Sequence, residues 1–379
     1  MRIFENIHID WLGKRKIFYA VSLSLFLIGW VTVFIRGLHF GIDFKGGTEI
    51  VLEFQKPINV STIRDYVSNI GLGNVELKTF GGQTGILARS ELQELPHNLI
   101  PKVVENINAA IQRIYPGLEA KVVDTTAASV TYQLPNTDTT NLLIAKLFDA
   151  GFQTGRVSEE PTNTQMIVTV GIAEWLKENL KTKVADNPFK VIKEDHVGPK
   201  VGNELKTNAL IAIVLSLIGI LIYLAFRFKF IFAVGAVVAL FHDVLITIGL
   251  YAALYGVIPG LNLEIDLTVV AAFLTLIGYS VNDTVIVFDR VRENLKIHKT
   301  MDLEELINQS VNRTMSRTIL TAGTVLLAVL VLLIFGGEVL RAFSFTLFFG
   351  TITGTYSSIF IASALVLEYA NRFQKKVQF

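Results

Sequence analysis

Ala209–Phe226 reads ALIAIVLSLIGILIYLAF, a run without a single charge. A helix needs roughly 20 apolar residues to cross the hydrocarbon core of a bilayer, and this run stops at Arg227 and Lys229. Reading outward, five more segments have the same character: Ile17–Ile35 before it, and Phe230–Leu254, Leu267–Phe288, Thr318–Phe335 and Ala342–Leu367 after it. The spacing therefore predicts a polytopic α-helical membrane protein with six transmembrane helices. A mean hydropathy of +0.50 agrees with that class. Lys14, Arg15 and Lys16 precede the first segment as they would in a signal peptide. The apolar run is longer than a secretory h-region and no small-residue cleavage site follows, so a membrane anchor is expected.

Basic residues in short loops set orientation. Residues 1–16 end in three of them, Arg227 and Lys229 join spans two and three, and Arg290, Arg292, Lys296, Lys299, Arg313 and Arg317 crowd residues 289–317. Arg372, Lys375 and Lys376 lie in the tail, 368–379. The opposite loops, Tyr255–Asp266 and Gly336–Arg341, hold one basic residue between them. Both termini are expected in the cytoplasm. The basic loop 289–317 reads as a partly amphipathic, solvated helix. The long segment 38–206 is placed outside, since long domains translocate largely regardless of charge.

That segment reads as α+β structure. Ile50, Leu52 and Phe54 alternate as in a strand, and Asn59 opens a helix with Val60, Ile63, Val67 and Ile70 on one face. Asn74–Phe80 and Thr84–Arg89 form a strand pair around Gly81-Gly82. A helix from Ile100 to Ile114 and a strand at Glu119–Asp124 follow. The same order then recurs: strand Ser129–Leu134, a helix capped by Asp138, strands Phe152–Ser158 and Gln165–Val170, a helix with Trp175, Leu176 and Leu180, and strand Phe189–Glu194. Two successive ferredoxin-like βαββαβ units are predicted, residues 38–126 and 127–206.

Several functions find no support. Net charge is +1, so nothing in bulk charge points to nucleic acid, and no cysteine is present to form a disulfide or thiolate metal site. His97 and His196 are isolated, no Ser/His/Asp set appears, and the Lys45 glycine run precedes a strand rather than a helix, unlike a P-loop. The chain does not read as an enzyme.

The informative residues are acids inside apolar runs. A carboxylate at the centre of a span costs roughly 2.5–3.5 kcal/mol to insert and usually faces the bundle interior, where it marks an ion or proton path. Asp283, with Asn282 beside it, lies in the cytoplasmic half of span four, and Asp243 follows His242 in span three. Arg317 opens span five at a depth similar to Asp283, so the two are expected to pair. Burial favours a neutral carboxyl and a guanidinium favours the ionised one. A helix shift that moves Arg317 would switch proton affinity. Gly350 and Gly354 form a GxxxG in span six, a pattern of close helix packing. Gly198, Pro199 and Gly202 join the outer segment to span two and read as a coupling hinge.

Four stretches resemble the SecF family of the bacterial Sec protein-export machinery: Gly41-Ile42-Asp43-Phe44-Lys45-Gly46-Gly47-Thr48; Val197-Gly198-Pro199-Lys200-Val201-Gly202-Asn203-Glu204-Leu205; Gly278-Tyr279-Ser280-Val281-Asn282-Asp283-Thr284-Val285-Ile286-Val287-Phe288-Asp289-Arg290; and Arg317-Thr318-Ile319-Leu320-Thr321. The resemblance implies an RND-like half-transporter that pairs with SecD, associates with the SecYEG channel in the inner membrane, and uses the proton-motive force to promote late export of unfolded polypeptides. It implies no cofactor beyond protons. By motif position Asp283 and Arg317 look like the family's proton-passage residues, with Asp243 as a further relay candidate and Gly41, Asp43, Gly46, Gly47 and Asn282 as motif positions. Family members resemble a version with one outer unit, whereas two are read here. The alternatives are half of a proton-coupled RND-type small-molecule exporter and a non-transporting scaffold.

Overall fold

A computed structural model describes residues 8–373 apart from positions 93, 159, 161, 259 and 260. The first seven residues and the tail's Lys375 and Lys376 lie outside the described residues. The chain forms two compact units, one built from Met1–Asp43 with Glu204–Phe379 and the other from Phe44–Asn203.

Among the described residues six helices are long and apolar enough to cross a membrane: Leu12–Arg36, Pro199–Arg227, Phe230–Leu254, Leu267–Ile297, Leu303–Phe335 and Gly337–Phe373, here called spans one to six; from Glu204 onward the second belongs, like the others, to the first unit. Burial divides them. In their most apolar stretches spans three, four and six are 56%, 50% and 72% buried, against 11%, 6% and 17% for spans one, two and five. The first three form the interior. Small residues permit their neighbours to close in. A Cβ on Gly29 of span one would stand 2.7 Å from the Gly249 Cα of span three, so neither position tolerates a side chain without backbone movement.

At the end of the bundle that carries the basic residues, Leu12, Phe232, Phe288, Val291, Leu306 and Ile307 form a buried cluster. Arg15 bonds Glu304 at 2.9 Å and Glu368 at 3.1 Å, joining spans one, five and six. Asn308 accepts the backbone N–H groups of Trp11 and Leu12, both at 3.0 Å. The segment 289–317 is therefore not a solvated surface helix. Span four continues to Ile297 and span five starts at Leu303, with Asp302 accepting the Glu304 N–H as its cap. The reason is periodicity. Leu306, Ile307, Ser310, Val311 and Thr314 recur at helical spacing and are buried, so this stretch packs as an extension of span five.

The second unit contains two four-stranded antiparallel sheets. The strands are β1 Gly47–Phe54, β2 Val75–Thr79, β3 Gly85–Ser90, β4 Lys121–Thr125, β5 Ser129–Gln133, β6 Thr154–Arg156, β7 Gln165–Thr169 and β8 Phe189–Val197. The sheet orders are β2-β3-β1-β8 and β4-β5-β7-β6. Each is a ferredoxin-like order, but the two are interleaved rather than successive. The strand expected to close the first unit, β4, sits beside β5, and the strand expected to close the second, β8, sits beside β1. A division at 126/127 would cut the β4–β5 hairpin. The turn explains the choice: the Thr126 N–H bonds the Ser129 carbonyl at 2.8 Å, and the Thr126 hydroxyl oxygen accepts the N–H groups of Ala128 and Ser129. A local hairpin costs far less loop entropy than a return to β1.

The helices follow the strands. They are α1 Val60–Val67, α2 Ile100–Ile114, α3 Thr137–Asp149 and α4 Ile172–Lys183. α4 packs on α1 and β1, while α2 packs on α3. The Trp175 indole N–H donates to the Ile70 carbonyl at 2.9 Å, and the Tyr132 hydroxyl donates to Asn108 at 3.0 Å. Asn59 caps α1 as expected. The cap of α3 is Asn136, which accepts the Thr139 N–H at 2.8 Å, and Asp138 lies in the first turn instead.

Candidate functional site: two buried aspartates in the membrane unit

Span six comes close to spans three and four because Gly350 and Gly354 lack side chains. A Cβ at Gly354 would stand 2.9 Å from the Ser280 hydroxyl and 3.4 Å from Asp243 Oδ2. In the space so made, Asp243 is 1% exposed and surrounded by donors. Its Oδ2 accepts from Ser280 Oγ of span four at 2.8 Å and from Ser357 Oγ of span six at 2.9 Å. Its Oδ1 lies 3.0 Å from His242 Nδ1. The other ring nitrogen of His242 lies 3.2 Å from the Tyr356 hydroxyl, which in turn lies 3.1 Å from Ser22 Oγ of span one. Four spans thus meet in one hydrogen-bonded chain. Immediately after Ser357 the helix widens into a π segment, Ser358–Ser363, with the Ser363 hydroxyl bonding the Ser358 carbonyl five residues back. Such segments inside α-helices frequently mark functional sites.

Asp283 is the opposite case. It is 2% exposed, and neither carboxyl oxygen has a hydrogen-bond partner among the described residues. Arg317 acts on it through its charge, but no hydrogen bond joins the pair expected from sequence. An ionised carboxylate out of water and without partners is costly, so any charge there has to be met by the guanidinium, a proton or water. Asn282, next to it, is exposed.

Of the remaining motif residues, Gly41 and Asp43 lie at the other end of span four. The Ile265 N–H bonds the His39 carbonyl at 2.8 Å and the Gly41 N–H bonds the Ile265 carbonyl at 2.9 Å, a short parallel bridge around Phe40. The Asp43 carboxylate accepts the Leu267 N–H at 2.9 Å, while Asp266 caps the same helix through Val269 at 2.8 Å. Two carboxylates thus sit at the N-terminus of the helix that carries Asp283, where the helix dipole favours negative charge. Gly46 and Gly47 have φ of +75° and +117°, and a Cβ on Gly47 would stand 2.3 Å from the Ser90 carbonyl oxygen. At the second linker Gly198 alone separates β8 from the helix that begins at Pro199; Gly202 lies in its first turn, its N–H bonded to the Gly198 carbonyl at 2.9 Å.

Sequence reasoning therefore found both aspartates and missed their surroundings. Ser22, Tyr356 and Ser357 do not stand out in the sequence, and Ser280 does so only within its motif, because lone hydroxyls are common in spans; the one local sign of a polar face is Tyr356 and Ser357 side by side, six and seven residues beyond Gly350. Among the described residues no three His, Asp or Glu side chains converge as a metal site would require.

Two family models match the chain: the C-terminal region of the protein export membrane proteins SecD/SecF over residues 176–372, and the SecD/SecF GG motif over residues 31–58. The protein translocase subunit SecF of Rhodothermus marinus is 38% identical over 372 residues, which cover 98% of this chain and 96% of that protein. Its counterpart from Koribacter versatilis is 36% identical, over 97% and 93%. Both relatives align with this chain almost end to end, the segment between the first two spans included. The crystal structure of SecDF, a translocon-associated membrane protein from Thermus thermophilus, superimposes on 97% of the chain with a TM-score of 0.65 at 29% identity. The chain spans 39% of the length of that SecDF protein.

Proposed function

The chain belongs to the SecF family of protein translocase subunits, and from this we propose that it acts with SecD, beside the SecYEG channel of the bacterial inner membrane, to draw on the proton-motive force during late export of unfolded polypeptides. In this reading both termini are cytoplasmic and the sheet unit is extracytoplasmic. Asp283 carries the proposal: a buried carboxyl whose oxygens both lack a hydrogen-bond partner among the described residues, under the charge of Arg317. It takes up a proton from one side and gives it up when the guanidinium moves closer. Asp243 is a further proton-relay residue. The Asp43 cap and the Gly198-Pro199 junction, with Gly202 in the first helical turn, are the linkers through which a shift of the spans reaches the outer unit, the latter acting as the hinge.

The energy scale fits a ratchet. One charge crossing roughly 150 mV gains about 3–4 kcal/mol. Moving a two-state equilibrium from 1:99 to 99:1 takes about 5.5 kcal/mol. One proton biases a sliding chain strongly, and two complete the swing.

The test is Asp283→Asn in inverted membrane vesicles that hold SecD and SecYEG. Loss of the proton-dependent part of translocation, with the ATP-dependent part intact, is expected. Undiminished proton-dependent transport would sink the proposal. The small-molecule exporter alternative draws no help from the outer unit's cavity between α2 and α4, lined by Val103, Ile107, Phe152 and Trp175. At about 30 Å³ it has room for about two waters.

A further inference from the structure

We infer that Ser22, Tyr356 and His242 form a proton wire that loads Asp243, making it a second protonation site with its own entry, separate from Asp283. This builds on the proton-driven reading above and adds the residues that deliver the proton.

The hydrogen-bond directions are self-consistent. A serine can only donate to a carboxylate, so the Ser280 proton points at Asp243 Oδ2, and the Ser357 proton points at the same oxygen, the nearer of its two acceptors at 2.9 Å against 3.2 Å for the Gly354 carbonyl. With His242 carrying its proton on Nδ1, that N–H donates to Asp243 Oδ1, which leaves Nε2 as an acceptor. The Tyr356 hydroxyl, 3.2 Å away, then donates to Nε2 and accepts from Ser22, 3.1 Å beyond. All three gaps lie within hydrogen-bond reach, so a proton can pass without any side chain leaving its place.

The transfer balances. The Tyr356 O–H bond breaks as an N–H forms at His242 Nε2. The His242 Nδ1–H bond breaks as an O–H forms on Asp243. The tyrosine oxygen regains a proton from Ser22, which regains one from outside the wire. No net charge remains on the relay, and His242 has exchanged one tautomer for the other. Among the described residues the titratable group bonded to Asp243 is His242 of its own span, with Tyr356 of span six one hydrogen bond beyond it. Span four presents Ser280, and span one reaches the wire through Ser22.

The surrounding fold suits conduction better than mere packing. A buried structural acid needs donors to its oxygens, and the two serines serve Oδ2 while the near nitrogen of His242 serves Oδ1. It does not need a histidine whose far nitrogen is handed on to a phenol and then to another span. Tyr356 and Ser357 are consecutive residues that serve opposite ends of the same chain, and the π segment begins at the next residue. An extra residue in a turn offers a register in which Tyr356 and Ser357 can shift without unwinding the helix.

The experiment is infrared difference spectroscopy on the full chain reconstituted with SecD in proteoliposomes, following carboxyl bands after a step in external pH. Asp243→Asn identifies the Asp243 band by its loss. Should that variant not reach the membrane, Ser280→Ala identifies it by a shift, since it removes one donor. Tyr356→Phe and His242→Gln keep the packing and break the relay. Both are expected to slow protonation of Asp243 by about tenfold or more while leaving its final amplitude unchanged. Ser24→Ala, whose hydroxyl bonds only the Ala20 carbonyl of its own helix, is expected to leave the rate alone. Unchanged rates in both relay variants would overturn the wire. So would the absence of any Asp243 band over the pH range in which the protein stays folded. The vesicle assay on Asp283→Asn reports separately. If it fails while the relay variants slow Asp243, the wire stands without the proposed function. If it succeeds while they do nothing, only the wire falls.

Discussion

Asp243 and Asp283 stand on consecutive helices, spans three and four, of the same bundle, equally buried, and are opposites. Asp243 has three donors on its two oxygens, and among the described residues Asp283 has none. The first is held by hydrogen bonds and the second by a distant charge. The difference teaches that burial alone does not define a transport acid. A satisfied carboxyl contributes to the fold through its hydrogen bonds, whereas an unsatisfied one contributes none and, in the function proposed above, is left open for a proton. Removing the two should therefore give opposite mixtures of lost stability and lost function.

The largest effect expected is functional. Asp283→Asn reduces proton-driven translocation by about 100-fold or more, in the range that a proton-transfer group contributes, while the unfolding midpoint in detergent stays near the parent's. A clearly destabilised Asp283→Asn would break the contrast. Next comes stability at the other site: Asp243→Ala leaves His242, Ser280 and Ser357 facing a void and costs about 2–3 kcal/mol, measured by reversible unfolding in mixed micelles. Smaller again are the glycine contacts. Gly29→Ala pushes a methyl into the backbone of Gly249 and costs about 1–2 kcal/mol. Gly350→Ala meets only the flexible end of Leu276 and costs less than Gly29→Ala, a ranking the same assay checks. The smallest is Asp43→Ala, which removes one of two carboxylates at the start of span four and costs about 1 kcal/mol. Hydrogen exchange confined to the first turn of that span reads it directly.

The outer parts of this picture were legible in the sequence for a simple reason. Six long apolar runs have no other use than to be buried in lipid or in one another, and an aspartate within such a run stands out. What surrounds each aspartate was not legible, because the partners come from other spans. Ser280 and Ser357 lie 37 and 114 residues from Asp243, and no local pattern links them. The expected Asp283–Arg317 pair placed both residues at the same depth, but depth does not fix which way each helix turns its side chains. The π segment was invisible as well, since Ser358–Ser363 contains neither glycine nor proline. In the sheet unit, alternation identified strands and faces but not neighbours. Glu119–Asp124 and Phe189–Glu194 looked interchangeable as closing strands, and the Thr126 turn decided between them.

That exchange has a mechanical consequence. Because β8 lies against β1, the strands by which the chain enters and leaves the sheet unit are hydrogen-bonded neighbours, paired from Gly47↔Val197 through Phe54↔Phe189. Forces that separate Gly47 from Val197 would open this ladder like a zipper, one pair at a time, starting at Thr48 and His196, whose side chains are themselves bonded at 3.0 Å. A tension shared by both strands along their length would instead meet every pair at once. The unit is thus soft against being prised apart at its base and stiff against being pulled as a whole, and the residues from Ile100 to Thr169, inserted between β3 and α4, lie outside the path that such a tension follows.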